Sequence, residues 1–255
     1  MGNPWVTFGN RKLDLIDPDP QAITLRALAN SLAMMPRWSG HMRAHYSVAE
    51  HETRAAWLAS PAARGYAFCH DHAEAVWHDL PAPAKDALRL LDSGSDGVSA
   101  YDRAYAITDR AMHRAFGLQW PAPLDIKAEV RRVDLLLLAT EKRDLTAPDQ
   151  PEWDWTLPAP MTAPIIPIED WREAAEQFCQ MARLLHFLGD LPRLPERNPR
   201  CFICGWPYAA DESQGCVPGN CSYRPAGSRD DERNVGYDIR RAQLRAFTAG
   251  SGCDR

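Results

Sequence analysis

The sequence predicts an all-α protein, on three observations. Apolar residues recur at three- and four-residue intervals through most of residues 22–188, the period of a helix with one buried face. Prolines fall between these runs, at Pro36, Pro61, Pro81 and Pro121, where they end or precede helices. Ser47-Val48-Ala49-Glu50 is a capping box: Ser47 accepts from the amide three residues on, and Glu50 reaches back to the cap.

The elements follow in order. Residues 1–20 carry Gly9, Pro18 and Pro20 and read as loop, with a short β segment at Trp5–Phe8. A helix from about Ala22 to Met35 places Ile23, Leu25, Leu28, Leu32 and Met35 on one side, and Pro36 stops it. The capping box starts a second helix, to about Ser60, with His51 one turn in. From Ala67 to Leu80 there is no Pro or Gly, so one helix is expected. At about 100° per residue, His70, Asp71, Glu74, Trp77 and His78 share a stripe. Tyr66, Cys69, Ala73 and Val76 oppose it, and His72 points away from it. Further helices are expected near Ala84–Leu91, Ala100–Phe116, Leu124–Arg143 and Glu169–Leu188. The Gly/Ser loop at Asp92–Ser99 and the Pro-rich segment 146–167, with Trp153 and Trp155, separate them. A shift to Pro and Arg around Gly189–Arg200 marks a domain boundary, giving a helical unit over 1–190 and an appendage over 195–255.

The net charge of −5 argues against bulk electrostatic binding to nucleic acid or anionic membranes, though a small cationic pocket for a nucleotide is compatible with it. No apolar run approaches the roughly 20 residues of a membrane span. The N-terminus lacks a charged-then-apolar signal pattern, so a cytoplasmic location is expected. The seven cysteines are then expected as thiols, and their clustering toward the C-terminus suggests metal rather than disulfide.

A polar stripe of His, Asp and Glu is costly to bury unless it pairs with something, and a divalent metal is an economical partner. His51, His70, Asp71 and Asp134 come from three expected helices, and Asp134 lies within an apolar register where an acid wants a partner. Imidazole with carboxylate suits Mn²⁺, Fe²⁺, Co²⁺ or Zn²⁺ better than Mg²⁺. The plain alternative for His70-Asp71 alone is a chance dipeptide. It weakens with Glu74 and Asp79 nearby and further ligand types on separate helices.

These pieces, in order, are Arg37-Trp38, Tyr46-Ser47-Val48-Ala49-Glu50-His51, His70-Asp71-x-x-Glu74, Asp79-Leu80-Pro81-x-Pro83-x-Lys85, and Val133-Asp134 followed by Glu141. Together the ordered set resembles the HD-domain phosphohydrolases over roughly residues 5–188. Within that superfamily it is most similar to bacterial 5′-deoxynucleotidases and phage dATP and dNTP triphosphohydrolases. The resemblance implies an all-α bundle in which His51, His70, Asp71 and Asp134 hold the metal. It implies that Glu74 is the catalytic acid and Arg37 binds phosphate, with Trp38 and Asp79 near sugar and base. The resemblance to the phage branch extends to Gly40-His41, where His41 would touch phosphate or water; a supporting or surface histidine is the other reading. Lys85 would neutralise phosphate, or is simply exposed. His45 is open in the same way as His41. His113 and His186 sit in helical patterns that suit structural roles, and His78 lies on the stripe but outside the matched motif. The activity implied is removal of a 5′ phosphate or triphosphate from deoxynucleotides, in nucleotide-pool control, by a homo-oligomer, and the similarity to the phage branch implies a phage-encoded protein. A phosphodiesterase or alarmone hydrolase on the same bundle, and a non-catalytic scaffold with an interacting tail, are the alternatives.

The resemblance does not reach the tail. There Cys201-x-x-Cys204 is the usual half-site of a structural Zn²⁺ knuckle, and Cys216 and Cys221 supply a looser second half. The alternative is a disordered tail with incidental cysteines.

Overall fold

A computed structural model describes residues 2–92, 94, 96–149, 151, 153, 156–196 and 245. The knuckle cysteines Cys201, Cys204, Cys216 and Cys221 lie outside the described residues, as does Cys253. The described chain is mainly helical, as expected. Its helices are α1 (Leu25–Met34), α2 (Val48–Leu58), α3 (Arg64–Cys69), α4 (Glu74–Trp77), α5 (Ala82–Leu91), α6 (Ala100–Ala115), α7 (Leu124–Leu145) and α8 (Trp171–Leu188).

The N-terminal segment forms a hairpin rather than a single β segment. β1 (Trp5–Phe8) pairs antiparallel with β2 (Arg11–Asp14), and its inward Phe8 and Leu13 are buried. Residues Pro20–Ala22 form a separate 3₁₀ turn, so the first helix starts later than expected, capped by Thr24.

At α2 both halves of the capping box are present. Ser47 Oγ accepts from the Glu50 amide at 3.2 Å, and Glu50 Oε2 accepts from the Ser47 amide at 3.0 Å. Because α2 carries His51 in its first turn, the cap also fixes a site residue. Ser47→Ala is expected to destabilise the fold by about 0.5–2 kcal/mol, measured by urea unfolding. An unchanged midpoint would mean the cap contributes nothing.

Two apolar clusters share α2 and α3. One joins α1, α6 and α8 through Leu28, Leu32, Phe68, Met112, Phe116, Phe178 and Leu185. The other joins α7 through Tyr46, Ala55, Ala59, Ala67, Val133 and Leu137. Alanines dominate the α2–α3 contact, which lets the two backbones approach closely. Gly65 lets α3 approach the segment after α8: a Cβ there would clash with the Asp190 carbonyl. Gly189 closes α8 in the left-handed conformation, φ +87°.

The single helix expected over 67–80 is divided. α3 ends at Cys69, residues 70–73 form a turn, and α4 begins at Glu74. One tertiary bond and one local contact accompany the break. Glu52 Oε1, from α2, accepts from the Asp71 amide at 3.0 Å, and His70 Nδ1 lies 2.7 Å from the Ala67 carbonyl. His78, at φ +64°, leaves the stripe altogether.

Candidate metal centre and cavity

α2, the 70–71 turn and α7 bring the four expected ligands together. His51 Nε2 lies 3.2 Å from His70 Nε2, 3.2 Å from Asp134 Oδ1 and 3.8 Å from Asp71 Oδ2. His70 Nε2 lies 3.3 Å from Asp71 Oδ2 and 3.9 Å from Asp134 Oδ1. The ligand atoms of His51, His70 and Asp71 all fall within 4.8 Å of one another, and the group could hold a metal ion.

The tautomers can be worked out from the partners. His51 Nδ1 sits 2.6 Å from Glu141 Oε1, and His70 Nδ1 sits 2.7 Å from the Ala67 carbonyl. A carbonyl and an ionised carboxylate only accept, so both Nδ1 atoms carry hydrogen. The two Nε2 atoms then face each other with carboxylates beside them, an arrangement that attracts positive charge, whether a metal ion or a proton on His51 Nε2. An ion bonded at about 2.0–2.2 Å holds adjacent ligand atoms roughly 3–3.5 Å apart, which fits the three shorter separations; the pairs at 3.8 and 3.9 Å are wider. Backing each imidazole with an acceptor on its other nitrogen is how metal-bound histidines are oriented.

The electrostatics agree. Burial and Arg37 oppose a charged His51, yet Glu141 and Asp134 bring its pKa up to about 9. Burial alone would raise Asp134, but His51 and His70 hold it well below the usual carboxylate range. Asp71 is likewise lowered against its burial, by His70 and Arg37.

Beside this cluster lies Glu74, 1% exposed. Burial, then Asp71 and Asp79, push its pKa well above the ordinary value, against Arg37 and Lys85. Its Oε1 accepts from Lys85 Nζ at 3.4 Å; among the described residues nothing bonds Oε2. Arg37 is buried among acids, at 3.2 Å from Asp71, 3.5 Å from Glu141 and 3.8 Å from Asp79.

Trp38 and Ser39 both adopt left-handed conformations, φ +58° and +51°, and Gly40 follows at φ +80°. Non-glycine residues there cost about 1–3 kcal/mol each and persist only where surroundings enforce them. Asp79 Oδ2 accepts from the Trp38 amide at 2.9 Å, and Glu141 Oε2 accepts from its indole Nε1–H at 3.0 Å. These bonds hold the segment as one wall of a cavity of about 1020 Å³. Arg37, Trp38, His41, Asp71, Glu74, Asp79, Lys85 and Asp134 all line it. Every residue expected to touch substrate is thus in one cavity, while His51 and His70 lie behind it.

Three further residues emerge from the fold. Trp153, placed by the sequence only in a Pro-rich segment between helices, lines the cavity and packs on Trp38 with ring centroids 5.2 Å apart. Glu141, carried in the sequence motif without a role, joins His51, Trp38 and Arg37. Glu52 pins the Asp71 amide and faces His72 at 3.5 Å; His72 itself sits among Phe68, Phe116 and Phe178. Of these, only Glu141 carried a sequence signal. His45 and His186 bond backbone carbonyls, of Ala33 and Leu191, in keeping with structural roles.

No protein-family model matches the chain. It is 34% identical over 131 residues to the uncharacterized protein YfdR of Escherichia coli strain K12, a match spanning 51% of this chain and 66%, just under two thirds, of that protein. It is 32% identical over 164 residues to the uncharacterized protein RCAP_rcc00048 of Rhodobacter capsulatus, spanning 60% of this chain and 79% of that protein. With this level of identity over most of the Rhodobacter protein, the chain belongs to the same family as RCAP_rcc00048.

Proposed function

We propose that this protein is a metal-dependent HD-domain phosphohydrolase that removes the 5′ phosphate from deoxynucleotides. The observation that carries the reading is the meeting of His51, His70, Asp71 and Asp134 beside a protonatable Glu74 and a buried Arg37, at the base of a nucleotide-sized cavity.

A bound divalent metal would supply Lewis-acid polarisation of a phosphate oxygen and a more acidic water. The chain's own residues do the rest. Arg37 is oriented by Asp71, Asp79 and Glu141 and offers its guanidinium to the phosphate. Glu74, kept protonated by burial and neighbouring acids, donates to the departing 5′ oxygen. Lys85, 3.4 Å away, steadies the carboxylate that remains. The Trp38–Trp153 pair offers an aromatic wall to the base. Asp79, fixed by the Trp38 amide, keeps acceptor capacity for a 3′-hydroxyl.

The charge balance favours a monophosphate. Arg37 is already paired with acids, and Asp71, Asp79, Asp86 and Asp134 line the same cavity. A triphosphate would bring far more negative charge into an acidic space.

The decisive assay is a panel of deoxy- and ribonucleoside mono-, di- and triphosphates with Mn²⁺, Co²⁺, Mg²⁺ and Zn²⁺, with products read by mass. Deoxynucleoside plus inorganic phosphate, formed only with metal, is the expected result. Failure to cleave any of them in metal-loaded protein would sink the hydrolase reading. Independently of turnover, Mn²⁺ at about 100 times its Kd should raise Tm by roughly 5–10 °C. The shift should vanish in His70→Ala; a shift of equal size there would place the ion elsewhere.

A further inference from the structure

A second cavity, of about 310 Å³, reaches the same centre from other elements. It lies among α3, α6 and the first half of α7, and its lining shares only Asp134 with the larger cavity. His70 and Asp134, two of the four converging ligands, form part of its wall. Lys127, Arg131 and Asp134 recur at i, i+4 and i+7, so two cations lead along one face of α7 toward the centre. Among the described residues neither cation forms an ion pair. This contrasts with Arg37 in the larger cavity, which faces Asp71, Asp79 and Glu141.

The opposite wall is built rather than loose. His113 is buried, with Nδ1 3.1 Å from Asp109 Oδ1, while Trp120 Nε1 donates to Asp109 Oδ2 at 2.7 Å. Asp109 thus serves Trp120 and faces His113, and Asp134 is turned toward His51 and His70, so both acids of this wall are directed at partners other than the α7 cations. At about 310 Å³ the cavity has ample room for one tetrahedral oxyanion.

The geometry points to an anion port: the cavity binds a single phosphate-sized oxyanion between His113, Lys127 and Arg131, next to the metal centre, and serves as the exit for released phosphate. The exit role rests on the hydrolase reading above; the anion site itself does not. A nucleotide filling the larger cavity would leave this route open, so phosphate need not wait for the nucleoside to depart.

The test uses full-length Mn²⁺-loaded protein and inorganic phosphate, with broadening of the ³¹P resonance as the measure of binding near the ion. Broadening should persist when a non-hydrolysable deoxynucleoside 5′-phosphonate saturates the larger cavity. The double variant Lys127→Glu/Arg131→Glu should weaken phosphate binding at least about tenfold, since two exposed attractions become repulsions. Both side chains are exposed, so the fold should tolerate the change; Arg131→Gln gives a milder second variant with the same direction. Lys85→Glu should leave this phosphate binding in place. Absence of broadening, displacement by the phosphonate, or indifference to the α7 variants would overturn the port. An active enzyme with such indifference keeps the hydrolase and loses the port. A protein that binds phosphate at α7 but cleaves no nucleotide keeps the anion site and loses the hydrolase.

Discussion

Glu74→Gln is expected to lower kcat by about 10²–10⁴ while leaving Mn²⁺ affinity and KM little changed. The reasoning starts from burial. A carboxyl 1% exposed, with Asp71 and Asp79 nearby, holds its proton well above the ordinary Glu range. Burial and its acidic neighbours thus favour the protonated form of Glu74, and glutamine keeps its shape without the acidic proton. Activity in the wild type should therefore fall as pH rises through the elevated pKa, and that alkaline limb should be missing from the variant. A sharper discrimination comes from the leaving group. A 5′-thio analogue departs as thiolate and needs no proton, so Glu74→Gln should cleave it at close to the wild-type rate. Equal losses on the oxygen and sulfur substrates would rule out proton donation by Glu74.

Glu141→Leu should produce the largest stability effect, about 3–5 kcal/mol, together with a 10–100-fold (order-of-magnitude) loss of metal affinity. One carboxylate, fully buried, accepts from His51 and Trp38 and neutralises Arg37. Removing it leaves a guanidinium and two N–H groups short of a partner. Glu141→Gln should recover part of the loss because its amide oxygen still accepts. The pH dependence has a definite sign. Burial would raise Glu141, but Arg37 and His51 bring it from 4.5 to about 2. A depressed carboxylate contributes fully above the unfolded value and progressively less as pH falls from about 4.5 toward 2. Urea unfolding across that window should therefore show a shallower slope in Glu141→Leu than in the wild type. Parallel slopes would mean that the carboxylate's charge is not what stabilises the fold.

Much of this was readable in advance because helices announce themselves locally. Pro36, Pro121 and the Ser47–Glu50 box bound α1, α7 and α2 to within a few residues. The stripe over 70–78 selected His70, Asp71 and Glu74, although the continuous helix behind that argument is absent. The break is a tertiary event: a carboxylate on α2 takes the Asp71 amide, and nothing between residues 67 and 80 records it. β2 escaped notice because Arg11-Lys12-Leu13-Asp14 has a single inward apolar residue, too little for a period-2 pattern. Trp153 sits in a Pro-rich stretch without periodicity, so its place on Trp38 could not be foreseen. The second cavity draws on three helices and the Trp120–Ala122 segment, and such convergence leaves no mark in any one of them.

The left-handed run at Trp38–Gly40 has a consequence for the order in which the molecule comes together. Its backbone is unfavourable until Asp79 and Glu141 are in position to bond it, and those two arrive from segments 41 and 103 residues away. The nucleotide-facing wall must then be among the last parts to assemble and the first to open in a partial loosening of the bundle. An aged or mildly heated sample would lose its capacity to recognise a ligand well before its helices melt.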